Sequence, residues 1–318
     1  MSAIRFRILP SSYKQTNADK QRGQLNKALL VTLFLLPGMA IFLIFLLMPI
    51  SQSFFISQYK WNGLGPMTDY VGMDNFANLL KNATFLNSLL HSVILMVLSL
   101  VIQLPLSLGL ALLVGRGQLR GRRLFRGILF IPFVFSEIIT AIIWLYVFKP
   151  GNGLANTFLT TIVPGFQPIA WLGERSVVLY SIFAIITWKY FGFHMILYMA
   201  GLQSIPKDLE DAARVDGATE RGVLRYITLP LLGSTIRLTV FLSVLGSFQQ
   251  FVLIWITTLG GPVNASQVIA TFLYKFGVIQ QQLGFGSAVA VVLFAITLVF
   301  SLGYQRIILR RDYTADSI

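Results

Sequence analysis

Apolar residues run through this chain in long blocks. From Ala28 to Tyr59 there is no charged residue at all, and five further apolar blocks follow. A helix needs about 20 predominantly apolar residues to cross a bilayer. Six segments meet that requirement: 29–50, 88–114, 127–148, 177–201, 235–257 and 285–304. The pattern predicts an all-α polytopic membrane protein with six transmembrane helices. The first block is too long for the apolar core of a signal peptide and has no clear small-residue cleavage site, so it reads as a retained span. Lys189 and Arg237 intrude on the fourth and fifth blocks. Between the first two, "WNGLGPMTDYVGMDNFANLL" reads as a turn-rich stretch leading into an interfacial helix. The expected organisation is an N-terminal tail (1–28), one transmembrane domain (29–304) and a C-terminal tail (305–318).

Charge orients these spans. Only 12% of the residues are charged, yet the net charge is +13. The basic residues alternate by loop. Six lie before the first span, five in "GRGQLRGRRLFR" after the second, four after the fourth and three after the sixth; the other three loops share five. Because basic residues stay on the cytoplasmic side, both termini are expected to be cytoplasmic. The excess of positive charge then follows from topology, with no need for nucleic acid. The chain has no cysteine, which excludes disulfides and thiolate chemistry.

One cytoplasmic segment concentrates charge of both signs: "DAARVDGATERGVLRYITLPLL", Asp211 to Leu232. Pro206 suits a first helical turn, and Asp208, Glu210 and Asp211 place negative charge near that helix's positive end. Lys207 with Asp211, and Glu210 with Arg214, are spaced i, i+4. Gly217 can end the helix in a left-handed conformation, and Thr219 can cap a second helix. That second helix is expected to stop before Pro230. Leu209, Ala212 and Ala213 share one face. A ridge of small residues rimmed by charge suits docking into a protein groove better than resting on lipid, where large apolar residues and lysine dominate.

The same segment reads Asp211-Ala212-Ala213, three residues, Gly217, nine residues, Ile227-x-Leu229-Pro230. It closely resembles the EAA loop of membrane subunits of binding-protein-dependent ABC importers, E-A-A-x3-G-x9-I-x-L-P. Asp211 stands where the family usually has glutamate, and Glu210 lies beside it. "GLQSIPKDL", "TTLGGPVNAS", "FGSAVAVVLF" and "LRGRRLFRGILFIPFVFSEIITAIIW" are similar to the carbohydrate-uptake branch, the maltose-type permeases in particular. "VGMDNFANLL" is a further echo in the first outer loop. The resemblance implies a type I ABC importer fold in a bacterial or archaeal cytoplasmic membrane, with a cytoplasmic EAA coupling loop at 207–230 whose coupling helix is 207–226. It implies that Glu210, Asp211, Ala212, Ala213, Asp216, Gly217, Ala218, Leu229 and Pro230 serve ATPase coupling. The expected partners are a second homologous permease, two ATPase subunits, an extracytoplasmic solute-binding protein and a sugar.

Polar groups inside a span are costly unless they face protein or water, so they mark candidate pathways. Ser243, Ser247 and Gln250 are spaced i, i+4, i+7 and form one helical stripe. Phe248 and Phe251 flank it and suit stacking on sugar rings. Lys189 stands near mid-depth of the fourth span, and Glu137 is the only acid inside any span. The two are candidates to pair across the bundle or to contact substrate. The sugar-branch match also places Tyr190 and Phe193 near the pathway. His194 reads as a packed polar residue. "LGGPVN" (259–264) reads as a rigid turn, either a contact near the binding-protein dock or a simple reversal into a re-entrant segment.

No G-x-x-x-x-G-K-[ST] loop is present, so ATP and magnesium are expected on another chain and no cofactor or metal on this one. His91 and His194 lie far apart in sequence, and no serine–histidine–carboxylate set stands out. The reading is a non-catalytic permease subunit. The alternatives are the same machine carrying glycerol phosphate or another polyol, which Lys189 keeps open, and a solitary secondary transporter, which a single intramembrane acid disfavours.

Overall fold

The structure, a computed structural model, describes residues 17–115 and 121–309. The outer parts of both expected tails, and Arg116 and Arg120 of the basic loop, lie outside the described residues. Among the described residues the chain is helical, with only an isolated bridge between Tyr59 and Tyr70 as extended pairing. Four helices are long and apolar enough to cross a membrane: α1 (Leu29–Ile56, its helical backbone beginning at Asn17), α3 (Ala83–Gly115), α7 (Val178–Ser204) and α13 (Leu283–Ile308). The short α2 (Asp74–Lys81) precedes α3, and it is the helix expected in the first outer loop.

The other two spans are not straight. The block expected at 127–148 is a broken pair, α4 (Arg122–Val134) and α5 (Glu137–Val147), bent by 99°. Phe135 and Ser136 between them are extended, and the Ser136 hydroxyl accepts from the Ile139 N–H (3.2 Å) to start α5. After α6 (Leu154–Ile162), α7 and α8 (Lys207–Val215), α9 (Glu220–Leu231) and α10 (Gly233–Gln249) form a second pair bent by 65°. The block expected at 235–257 is broken again at Gln250 and Phe251, before α11 (Val252–Thr258). "LGGPVN" then reverses the chain toward a short apolar helix, α12 (Ile269–Ile279).

Proline explains a recurring detail. Leu43–Leu47, Ser99–Gln103 and Leu224–Thr228 each form a wide turn of π type. In each, the next residue donates its N–H five residues back: Met48 to Leu43, Leu104 to Ser99, Leu229 to Leu224. The residue after that is proline every time: Pro49, Pro105 and Pro230. A proline inside an α-helix lacks a donor and its ring meets the carbonyl four residues back. An extra residue in the turn moves that carbonyl aside, and the helix continues. Hence α9 runs through Pro230 to Leu231, correcting the expected stop before that proline.

The fold falls into two units, Met1–Ser53 and Phe54–Ile318. The first holds most of α1. The second has three apolar clusters. One joins Ile182 and Ile185 of α7 to Ala141 of α5 and Leu253 of α11. A second joins Phe85, Val244, Phe272 and Val289 from α3, α10, α12 and α13. The third joins Ala111, Met195, Tyr198 and Leu232. Helix α7 runs through the first and third clusters and is the central element. In its most apolar window 56% of residues are buried, against 28% for α3 and 22% for α13. It meets α4 at Gly192, where a Cβ would lie 2.3 Å from the Leu129 carbonyl oxygen. That close approach brings Lys189, one turn earlier on α7, within reach of the end of α4.

Candidate functional site

Where α4 ends, its last carbonyls have no partner within the helix. Lys189 of α7 supplies one. Its ammonium donates to the carbonyls of Phe133 (2.9 Å), Pro132 (3.4 Å) and Phe135, and lies 5.5 Å from the centre of the Phe133 ring. A cation at a helix C-terminus meets its negative pole. The neighbouring residue, Tyr190, donates its hydroxyl to the Glu137 carboxylate. Glu137 sits in the first turn of α5, where the helix dipole favours negative charge. Two adjacent residues of α7 therefore hold the two ends of the broken helix. Lys189 and Glu137, candidates to pair or to contact substrate, lie on the two sides of the break: Lys189 binds the carbonyls that end α4, and Glu137 at the start of α5 accepts from Tyr190.

The elbow forms one wall of a cavity of about 310 Å³. Glu137, Tyr190 and Phe193 line it on one side, with Phe133 stacked on Phe193 at 4.8 Å. Ser243, Ser247 and Gln250 line it from α10 and its end, so the i, i+4, i+7 stripe does face a common space. Among the described residues, the Ser243 hydroxyl, the Gln250 carbonyl oxygen and Nδ1 of His194 are buried there without a protein partner. Pockets for small molecules combine apolar walls with a few unpaired polar groups in this way.

Three expected path residues lie elsewhere. Phe248 is buried among Phe85, Val244 and Phe272, because it stands a third of a helical turn round from Ser247 and faces α3 and α12. Lys189 is 4% exposed, turned onto the carbonyls and away from the cavity lining. Phe251 lies beyond the end of α10 and stacks with Trp255 at 5.8 Å. Ser99, Gln103 and His194 are among the further lining residues that the sequence reading does not assign to the cavity. Ser99 and Gln103 of α3 are spaced i, i+4 and joined by a hydrogen bond (2.9 Å), the same signal that marks Ser243 and Ser247. His194, expected as a packed polar residue, is buried but leaves one nitrogen unpaired beside the cavity, and nothing in its sequence surroundings signals that.

At the charged bend, α8 begins at Lys207 directly after Pro206. It ends where the Ala218 N–H reaches the Ala213 carbonyl (2.9 Å) and Gly217 takes a φ of +86°. Thr219 caps α9 by accepting from the Gly222 N–H (3.2 Å). Arg214 ties the two helices together, at 2.7 Å from both Asp211 and Glu220 and 3.9 Å from Glu210. Its hydrogen bond to Glu220 holds that carboxyl below its ordinary range and raises Arg214 in turn. Glu210 and Asp211 part company here. Glu210 is buried and accepts from Thr228 (2.7 Å), whereas the Asp211 side chain is 68% exposed. Ala212, Asp216, Gly217, Ala218 and Pro230 are exposed, Ala213 and Leu229 half-buried. Val215, which the sequence motif does not single out, is the most prominent apolar group at the tip, 88% exposed.

Comparison with known proteins places this geometry. Residues 103–312 match the family model described as "Binding-protein-dependent transport system inner membrane component". The chain is similar to the probable ABC transporter permease protein YurN of Bacillus subtilis (strain 168), 33% identical over 271 residues, 85% of this chain and 92% of that one. It is also similar to the diacetylchitobiose uptake system permease protein NgcF of Streptomyces coelicolor, 32% identical across 84% of this chain and 79% of that one. Among solved structures, it resembles a chain of a bacterial ABC transporter involved in the import of the acidic polysaccharide alginate. That likeness has a TM-score of 0.76 at 25% identity and covers 91% of this chain and 99% of the other. With residues 103–312 matched and these relatives covered along most of their length, this chain is a member of the binding-protein-dependent transport system inner membrane component family, with a type I ABC importer permease fold.

Proposed function

We propose that the protein is the permease subunit of an ATP-driven importer in a prokaryotic cytoplasmic membrane, forming with a second, homologous permease the path for a saccharide delivered by an extracytoplasmic binding protein. The observation that carries this reading is the bend at 207–231. It presents Asp211, Ala212, Ala213, Asp216, Gly217, Ala218 and Val215 on a surface held rigid from behind by Arg214 and by the buried Glu210–Thr228 contact. On this reading the surface seats in an ATPase subunit, where ATP and magnesium bind. Closure of the ATPase pair moves α8 and α9 as one piece. Because α9 leads into α10, that movement reaches Ser243, Ser247 and Gln250 in the cavity wall.

The saccharide reading is supported by the cavity itself. Its unpaired hydroxyl, amide and imidazole groups suit hydroxyl-rich ligands, and the Phe133–Phe193 stack offers flat apolar surface for a sugar ring. Glu137, Tyr190, Phe193, Ser243, Ser247 and Gln250 are the residues proposed to line the path. Lys189 and Phe248 support that wall from outside it.

The test is purification from cells that express the neighbouring transport subunits, comparing wild type with Asp211→Arg and Val215→Asp. Wild type is expected to bring down an ATPase chain and a second permease. The variants should keep the permease and lose the ATPase. Recovery of this chain alone, with transport intact, would overturn the proposal in favour of a solitary transporter.

A further inference from the structure

The cavity between the elbow and α10 is asymmetric in charge. Among the described residues, Glu137 is the only carboxylate in its lining, and no lysine or arginine lines it. The one lysine close by, Lys189, has its ammonium on the carbonyls at the end of α4. His194 also lines the cavity, buried and with its Nδ1 without a protein partner. Tyr190 fixes the Glu137 carboxylate in place through its hydroxyl. The remaining polar groups, Ser243 and Gln250 among them, are neutral.

An anion entering this space meets the Glu137 carboxylate in the lining itself, with the Lys189 ammonium set back behind Tyr190, whereas neutral hydroxyls meet unpaired neutral partners. We infer that this half of the path excludes anionic cargo, that Glu137 is the residue setting that preference, and that the imported saccharide is therefore uncharged or cationic rather than a uronate or a sugar phosphate. The inference rests on the reading of the cavity as part of the path. It disfavours a glycerol phosphate cargo, because the lysine that kept that option open is held at the helix end.

The chain has no cysteine, so a single introduced thiol can report the local field. Gly246 lines the cavity, and a Cβ added there meets nothing within 4 Å. The complete importer is assembled with Gly246→Cys, and separately with Leu64→Cys, an exposed position in the first outer loop. Each is treated with cationic, anionic and neutral methanethiosulfonates, and modification is followed by the intact mass of this chain. The ratio of cationic to anionic rates is expected to be about tenfold higher at 246 than at 64. Glu137→Gln should return it to the value at 64, while Tyr190→Phe, which keeps the carboxylate, should leave it raised. An equal ratio at the two positions, or a raised ratio that survives Glu137→Gln, would overturn the charge inference while leaving the path reading intact. If no reagent reaches position 246 but all reach 64, the cavity is closed to water and the path reading fails with it.

Discussion

Two bends in this protein solve the same problem by different means. At Gly217 the chain turns at the surface and supplies its own parts: a glycine at φ +86°, a threonine cap and an arginine bridging α8 to α9. At Phe135 it turns by 99°, and beyond the Ser136 cap of α5 the parts come from another helix. Lys189 and Tyr190 of α7 satisfy the carbonyls on one side of the break and the carboxylate on the other. A surface bend has water to satisfy whatever its own residues leave open. At the 99° bend the carbonyls that end α4 take their donor from Lys189 of α7, so its stability depends on tertiary packing.

The sharpest way to break that contrast is Lys189→Met. Each buried carbonyl left without a donor costs about 1–3 kcal/mol, and three are served here. Strong loss of assembled complex is expected, with substantial recovery in Lys189→Arg, which restores donors; a full yield of Lys189→Met at an unchanged melting temperature would show that the elbow holds itself. A smaller effect is expected at the other bend. Space around Gly217 is open, so Gly217→Val costs only the left-handed backbone, about 1–2 kcal/mol. The permease should insert and pair normally but couple ATP hydrolysis to uptake poorly, measured as uptake per ATP hydrolysed in proteoliposomes. Smallest is the pH response of the Arg214–Glu220 contact. Since the folded carboxyl is held below its ordinary value, the contact stabilises the bend fully above the usual glutamate range. That contribution is lost as pH falls through the depressed folded value, below about 4.3. Protection of the Gly217 and Ala218 amides against hydrogen exchange, taken relative to their intrinsic rates, should fall only in that acid window, and no further in Glu220→Gln.

The difference between the bends also decides how much of each is legible in the sequence. Gly217, Thr219 and Pro206 declare themselves because the residues that make the surface bend are within a few positions of it. In "FIPFVFSEII" Pro132 and the Ser136–Glu137 helix start mark a boundary but not a 99° angle, and Pro49 and Pro105 are absorbed by wide turns with no break. The missing information is Lys189, more than fifty residues away. Its charge stands out in the sequence, but its partners are carbonyls that become available only once the helix has broken. The polar stripe of α10 is legible from its spacing. Phe248 misleads because adjacency in sequence is not adjacency on a helix. Ser99 and Gln103 carry the same spacing as Ser243 and Ser247, and that spacing is hidden in α3 by the many other serines along it.

The wide turn in α3 has a further consequence for helical phase. Ser88, Ser92, Ser99, Gln103 and Ser107 are all buried. At roughly 100° per residue, the nineteen steps from Ser88 to Ser107 would leave the two ends of this row about 100° apart on a regular helix. The extra residue accommodated between Ser99 and Gln103 removes about one step of rotation and returns both ends to one meridian. Deleting a single residue inside that turn would leave both halves of the row aligned while returning Pro105 to conflict with the turn before it, whereas a deletion elsewhere between Ser88 and Ser107 would rotate one half of the row away from the other.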